Sequence, residues 1–177
     1  MYKLTDLYKQ IKEEAQVAQV SQYEIFCDMD GVLCDFDRRF EQFGGMSPNE
    51  YKTTNGTKKF WGLIDGIGAQ FWSEMPWMQD GKQLWKYISK YKPSLLSAPS
   101  LDSSSRYGKH LWVQENTHGT KLILAKKEHK KSYSSKNRIL IDDRSDNINE
   151  WKLNGGIGIL HTSAENTINE LKKLGLQ

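Results

Sequence analysis

Short runs of mostly apolar residues alternate along this chain with amphipathic segments. The runs fit buried strands at 23–27, 94–97, 121–125, 138–141 and 157–160. Between them, apolar residues recur every three or four positions, a spacing that predicts helices. Buried strands that alternate with helices indicate a parallel sheet covered on both faces. The pattern therefore predicts an α/β fold, a three-layer Rossmann-like sheet flanked by helices.

The same pattern divides the 177 residues into a main body and two additions. Residues 1–21 predict an amphipathic helix that packs on the body, and residues 22–43 and 78–177 carry the strands. Residues 44–77 hold turn residues, short helical patterns and many aromatic side chains. We therefore expect a small helical cap inserted after the first strand, within a single domain.

One helix of the main body is predicted from Ser103 to Asn116, after the second strand. Its serines suit the first turn of a helix, where a hydroxyl accepts a hydrogen bond from a free backbone N–H. Its larger apolar residues, Tyr107, Leu111 and Trp112, are expected to face the core.

The first strand ends abruptly at two carboxylates, Asp28 and Asp30. Gly31 follows, a residue that adopts positive φ and lets the chain turn out of a strand. On its own this stretch also fits an ordinary Asp-Gly turn. However, the carboxyl ends of strands in open α/β sheets are where ligands bind, so both carboxylates are candidates for chemistry.

Later strands deliver more polar groups to the same edge. Ser97 ends the second strand, a lysine-rich segment follows the third, and Asp142 and Asp143 end the fourth. Close carboxylates repel by about 4 kcal/mol per pair in a partly shielded site. A hard divalent cation such as Mg²⁺ relieves this repulsion, whereas no His/Cys spacing suits zinc. With a hydroxyl and an ammonium group beside the metal, the site suits a phosphoryl group.

These motifs carry a resemblance to a known family. DMDGVLCDF resembles the first motif, DxDGxxxD, of haloacid dehalogenase-like (HAD) phosphatases, and SAP at 97–99 is similar to their second motif. The lysine cluster resembles the third motif, and IDDRSDNI the acidic fourth. With FWSEMPW, LLSAPS, GKHLWV and LIDDRSDNINEWKLNGGIGILH, the chain resembles the 5′(3′)-deoxyribonucleotidase branch. The match runs from about Tyr23 to Leu160.

The resemblance implies roles for the acidic residues. Asp28 is expected to be the nucleophile that forms an aspartyl-phosphate, and Asp30 the general acid and then the general base. Mg²⁺ would be held by the Asp28 carboxylate, the Asp30 backbone carbonyl and Asp142. Asp143 would act beside the metal, through water.

The resemblance also implies a phosphate-binding set. Ser97 and the backbone at Met29 and Ala98 would hydrogen-bond the phosphoryl oxygens. Lys130, by its spacing before Ser-Tyr, is the favoured lysine of the third motif. Lys126 lies closer to the end of the strand and remains the rival.

The implied substrate is a small phosphate ester, a nucleoside monophosphate and most readily a deoxy form. The cap of this branch holds the base between aromatic side chains, for which Phe36, Phe43 and Trp61 are the candidates. The sequence leaves open another small phosphate ester or a polynucleotide 3′-phosphate, and outside enzymes an idle binding protein on the same fold.

Composition adds few constraints. The net charge of +3 is too small to argue for nucleic acid, although residues 126–136 are basic. Cys27 and Cys34 are the only cysteines, which argues against a disulfide framework. No apolar stretch reaches membrane-spanning length and no signal-peptide core is evident, so we expect a cytoplasmic protein without membrane contact. The choice between monomer and dimer is open.

Overall fold

Five parallel strands form the central sheet of the computed structural model, which describes residues 22–177. Their order across the sheet is β3-β2-β1-β4-β5. The bounds are β1 Glu24–Cys27, β2 Ser94–Ser97, β3 Leu122–Leu124, β4 Arg138–Asp142 and β5 Ile157–Leu160. The predicted α/β fold with a parallel sheet is confirmed. The helix expected over 1–21 lies outside the described residues.

Eight α-helices connect or flank these strands within the described residues. They are α1 Phe36–Gly44, α2 Pro48–Asn55, α3 Thr57–Ile67, α4 Ala69–Ser73, α5 Gly81–Ile88, α6 Ser103–Thr117, α7 Ser145–Leu153 and α8 Ala164–Lys173. Two 3₁₀ helices, Ser89–Tyr91 and Lys127–Tyr133, complete the set. Over the residues described, none of the helices combines the length and the apolar character needed to cross a lipid bilayer.

The sheet is buried on both faces because successive side chains of a strand point in opposite directions. Ile25 and Ile139 lie in the larger hydrophobic cluster. Phe26 and Leu140 lie in the smaller one, with Trp151 of α7. Helices therefore cover each face, as the apolar strands require.

The segment between α1 and α5 does not build a separate core. Phe60 and Ile64 of α3 and Phe71 of α4 are fully buried. They belong to the same hydrophobic cluster as Ile25 of the central strand. The helices α2 to α4 are thus packed against the main body.

Trp112 of α6 is fully buried as predicted, but Tyr107 is 62% exposed and does not face the core. The buried face of α6 is formed by residues spaced three and four apart, namely Ser105, Gly108, Lys109, Trp112, Val113 and Thr117. Four of these six are not apolar, so the spacing of the large apolar residues did not identify this face correctly. Gly108 lies against α4: a Cβ there would come within 2.4 Å of the Ala69 carbonyl oxygen.

We predict that Gly108→Ala destabilises the protein even though alanine favours helix more than glycine does. The added methyl group would meet rigid backbone, and overpacking of this kind costs about 1–3 kcal/mol, which exceeds a helix-propensity gain of about 1 kcal/mol. Urea unfolding should show a lower free energy of unfolding.

Gly62 in α3 is the matched control, because a Cβ at Gly62 would meet no atom within 4 Å. Gly62→Ala should stabilise the protein by roughly 0.5–1 kcal/mol. Stabilisation by both substitutions would contradict the close contact between α4 and α6.

Candidate functional site

The candidate site lies where the strand order reverses. β1 is at the centre of the sheet, the chain proceeds to β2 on one side, and β4 returns on the other. The backbone N–H of Asp28 donates to the Ile141 carbonyl at 2.8 Å, which holds the ends of β1 and β4 together. Asp142, the last residue of β4, is thereby brought beside Asp28. Crevices at such reversal points bind ligands in open α/β sheets.

A tight turn follows Asp28 and shapes the floor of the site. The Met29 carbonyl accepts hydrogen bonds from the backbone N–H groups of Val32, Leu33 and Cys34 at 2.8–3.2 Å. Gly31 has a φ of +77°, and a Cβ there would come within 2.5 Å of Asp143 Oδ2. Glycine is therefore required both by its backbone angle and by the Asp143 carboxylate against it.

Three carboxylates converge at this floor. One oxygen each from Asp28, Asp142 and Asp143 lies within 4.8 Å of the others. Asn147 Nδ2 donates to both Asp142 oxygens at 2.9 Å, and the Arg144 backbone N–H donates to Asp142 Oδ1 at 3.0 Å. The fully buried Asp142 is thus fixed in orientation by the first turn of α7 and the loop before it.

Burial and mutual repulsion change the proton affinity of these acids. Desolvation and the neighbouring Asp28 carboxylate raise the pKa of Asp142, against the opposing effect of Lys130. Desolvation, Asp28 and Asp142 raise the pKa of Asp143 to about 6, although this residue keeps a solvent-exposed side. Crowded carboxylates of this kind bind either a proton or a cation.

Lys130 bridges two of the three carboxylates. Its Nζ lies 2.6 Å from Asp28 Oδ2 and 2.8 Å from Asp142 Oδ2, and the residue is 3% exposed. Burial lowers the pKa of Lys130, but Asp28 and Asp142 outweigh that effect and the net change is upward. Lys126, the rival candidate, is exposed and does not line the site.

Lys109 is a second buried lysine at the site, and the sequence analysis missed it. Its Nζ donates to Asp30 Oδ1 at 2.8 Å, to Asp30 Oδ2 at 2.6 Å and to Ser97 Oγ at 3.0 Å. It also lies 5.1 Å from the centre of the Trp72 ring, close enough for a cation–π interaction. The sequence did contain a signal for its burial. Lys109 lies three and four residues before Trp112 and Val113, a spacing that puts all three on the same face of a helix.

The remaining predicted phosphate-binding groups lie nearby. The Met29 backbone N–H donates to Asp28 Oδ1 at 2.8 Å, so in this structure it orients the carboxylate. Ala98 lines the cavity above the site, and Ser97 is buried with Lys109. Except for Lys126, the polar groups that the sequence analysis placed at this edge therefore lie near one another.

A cavity of about 870 Å³ opens above the carboxylates. Of the three candidate aromatic residues, Phe36 and Trp61 line it. Phe43 does not: its ring packs near Phe71, with the Arg39 guanidinium 4.9 Å from the ring centre. Phe43 lies about two helical turns beyond Phe36 in α1 and does not reach the cavity, which corrects its proposed place beside the substrate.

Part of the positive charge of the basic segment is neutralised by α7. Lys127 pairs with Asp146, Lys131 pairs with Glu150 at 2.7 Å, and Lys130 is turned inward. Arg144 also pairs with Asp146, at 3.2 Å. This segment is therefore a weaker candidate surface for a polynucleotide than its composition indicates.

Solved structures share this fold. A hydrolase from Streptococcus pneumoniae TIGR4 matches with a TM-score of 0.56 and 14% identity over 85% of this chain and 98% of its own. A Had-superfamily hydrolase from Ehrlichia chaffeensis matches with a TM-score of 0.53 and 14% identity over 85% and 96%. No family model and no curated protein matches the sequence. The chain thus has the α/β fold of HAD-like hydrolases, while the deoxyribonucleotidase branch stays a prediction.

We predict that Asp30→Asn lowers the stability of the protein much more than Asp28→Asn does. Asp30 is the single carboxylate that pairs with Lys109 in the described part of the chain, so its loss leaves a buried ammonium unpaired. Asp30→Asn should lower the free energy of unfolding by about 2–4 kcal/mol. Asp28→Asn leaves Lys130 paired with Asp142 and relieves repulsion, so it should change stability by less than about 1 kcal/mol. Chemical denaturation in EDTA measures both.

The double variant Asp30→Asn/Lys109→Met provides the control, because it removes the buried charge together with its partner. It should recover most of the lost stability. Equal destabilisation by the single and double variants would show that the ion pair is not the cause.

Proposed function

We propose that this chain is a Mg²⁺-dependent phosphomonoesterase that acts through an aspartyl-phosphate intermediate. The observation that carries the proposal is the convergence of three carboxylate oxygens within 4.8 Å, with the buried ammonium of Lys130 bridging Asp28 and Asp142. A site built only for stability has little reason to crowd these charges beneath an open cavity. The shared fold of HAD-like hydrolases supports the assignment to hydrolases.

Asp28 is the proposed nucleophile. One of its carboxylate oxygens attacks phosphorus, a new P–O bond forms, and the bond from phosphorus to the leaving oxygen breaks. Hydrogen bonds from the Met29 N–H and from Lys130 fix the Asp28 carboxylate, so its orientation is set before substrate binds. Lys130 also remains close enough to stabilise negative charge that develops on the phosphoryl oxygens.

Asp30 is the proposed general acid and base. Its carboxyl proton passes to the leaving oxygen, and its carboxylate later removes a proton from the water that attacks the aspartyl-phosphate. That water releases inorganic phosphate and restores Asp28. Lys109, which donates to both Asp30 oxygens, stabilises the anion formed when the proton leaves and holds the group near Ser97.

The donor set at the floor fits Mg²⁺. Its ligands are carboxylate oxygens, with Asp28 and Asp142 as direct candidates, the Asp30 carbonyl as a third and Asp143 beside them. Four carboxylates against the two ammonium groups of Lys109 and Lys130 leave two negative charges, which a divalent cation neutralises. When bound, Mg²⁺ would withdraw charge from the phosphoryl oxygens.

The proposed substrates are nucleoside monophosphates, deoxy forms included. Cavities of roughly 300–1,000 Å³ accommodate molecules of nucleotide size, and this one has a volume of about 870 Å³. Phe36, Trp61 and Trp72 line it, and flat aromatic side chains favour stacking with a base. The sequence resemblance supports the same substrate class.

We predict that Asp28→Asn abolishes phosphate release while the fold survives. The amide cannot replace the carboxylate nucleophile, so kcat should fall by roughly a thousandfold or more. Phosphate release should be measured over deoxy- and ribonucleoside 5′- and 3′-monophosphates, sugar phosphates, p-nitrophenyl phosphate and 3′-phosphorylated oligonucleotides.

Substantial turnover by Asp28→Asn would overturn the covalent mechanism. Activity on sugar phosphates alone, or on oligonucleotides alone, would support a phosphatase but show that nucleoside monophosphates are not its substrates. Absence of phosphate release from every ester would favour a binding protein on this fold.

We further predict that Mg²⁺ raises the melting temperature and that EDTA reverses the shift. A ligand that binds only the folded state stabilises it by about 2.7 kcal/mol at a hundredfold excess over its dissociation constant. Asp142→Asn should remove most of the shift, because it removes one of the two direct carboxylate ligands. Ca²⁺, which prefers more ligands at longer distances, serves as the comparison ion. A magnesium shift unchanged in Asp142→Asn would place the ion elsewhere.

A further inference from the structure

The cavity has carboxylates at both ends, but among the described residues buried lysines are found only at its floor. Lys130 and the buried Lys109 lie at the floor, where a phosphoryl group would bind. Four other carboxylates line the same cavity: Asp35, which ends the first motif, and Asp37, Asp65 and Asp102. We refer to these four as the acidic wall. A substrate that fills the cavity would present its leaving group to them.

The acidic wall is not neutralised by the protein. Within residues 22–177, none of its four carboxylates takes part in an ion pair. The side chains of Asp35 and Asp102 accept hydrogen bonds from backbone N–H groups at the starts of α1 and α6. This capping role accounts for the presence of these two carboxylates. Asp37 lies in the first turn of α1, where the helix dipole favours a carboxylate. Asp65 lies near the C-terminal end of α3, where the dipole disfavours one, so the helix end does not explain its presence.

The wall contains two pairs of carboxylates in which one member raises the pKa of the other. Desolvation, and next the neighbouring Asp35, raise the pKa of Asp37, with Lys52 acting in the opposite direction. Desolvation and the neighbouring Asp102 raise the pKa of Asp65. The protein thus maintains adjacent like charges in the cavity wall, an arrangement that a group with N–H donors would relieve.

Aromatic side chains share the cavity with these carboxylates. Trp61 is 37% exposed and lines the cavity beside Phe36. Trp72, 2% exposed, also lines it. Its indole Nε1 has no hydrogen-bond partner among the described residues, but this nitrogen has almost no accessible surface, so we assign it no contact with substrate. The lining therefore offers flat surfaces and several free acceptors.

We propose that the acidic wall selects phosphate monoesters whose leaving group is a flat ring bearing an amino group, with no second anionic group. This inference rests on the proposed function and deepens it: among nucleoside monophosphates, cytosine or adenine would be preferred to uracil or hypoxanthine. An amino group donates to a carboxylate, whereas a ring carbonyl at the same position meets it with like partial charge. The same wall repels diphosphates and polynucleotides, which carry further negative charge.

The test compares substrates that differ at that position and in the protonation of the adjacent ring nitrogen. The ratio of kcat/KM for dCMP over dUMP, and for AMP over IMP, should be roughly tenfold or more in at least one pair. Asp65→Asn and Asp37→Asn keep the side-chain shape but remove the charge and add a donor, so one of them should bring that ratio to within about threefold of unity. Glu41→Gln is the control, because this exposed acid of α1 does not line the cavity and the ratio should stay unchanged.

Binding provides a readout that does not depend on turnover. In the Asp28→Asn background with Mg²⁺, calorimetry should give a lower Kd for dCMP than for dUMP, or for AMP than for IMP. The added Asp65→Asn or Asp37→Asn change should remove that difference. Equal Kd values in the Asp28→Asn background, or a preference that survives both wall substitutions, would overturn the proposal.

A different result would contradict the proposed function itself: no ester would release phosphate in a reaction that depends on Asp28. If p-nitrophenyl phosphate is hydrolysed but dCMP and dUMP, and also AMP and IMP, are turned over equally, the proposed phosphatase activity stands and the proposed selectivity is wrong. Turnover of dCDP as fast as dCMP would discard the exclusion of a second anion.

Discussion

The site depends on keeping four carboxylates together at one edge of a buried sheet. Each close pair repels by about 4 kcal/mol where shielding is partial, so the arrangement requires compensating cations. The chain supplies two buried ammonium groups, one bridging Asp28 and Asp142 and the other holding both oxygens of Asp30. Removing lysines from water is itself costly, so these pairs make no general case for stability. What they provide is a fixed arrangement of the two acids with proposed catalytic roles.

The two lysines are positioned by different parts of the fold. Lys130 comes from the 3₁₀ helix after β3 and reaches across to β1 and β4. Lys109 comes from α6, whose approach to α4 depends on the missing side chain at Gly108 and brings Trp72 next to the ammonium. The inserted helices therefore contribute to the environment of Asp30 as well as to the cavity wall. Packing between α4 and α6 therefore affects the position of Asp30, the proposed general acid.

The strands and the acidic edge were predictable because both depend on local sequence. Buried parallel strands are short apolar runs, and the residues directly after them must lie at the sheet edge. Lys109 was missed because its helix buries serine, glycine and lysine, so the largest apolar residues misplaced the buried face and Tyr107 was wrongly turned inward. The prediction that Phe43 lies beside the substrate was wrong for a related reason. Helical spacing from Phe36 indicates which face of α1 a residue lies on, but not how far along that face the cavity extends.

The charge distribution also constrains how a substrate can lie in the cavity. Under the proposed function, a divalent cation would balance the two excess negative charges of the floor, and Lys130 would then attract a phosphoryl dianion. The acidic wall would repel the same group, because a monophosphate that enters in reverse would place its anion among carboxylates without an ion-pair partner in the described residues. Repulsion at one end and attraction at the other would thus set the orientation of the substrate, as in many specific binding sites. A leaving group that could satisfy the wall would add binding energy far from phosphorus, where it helps to position the reacting bond.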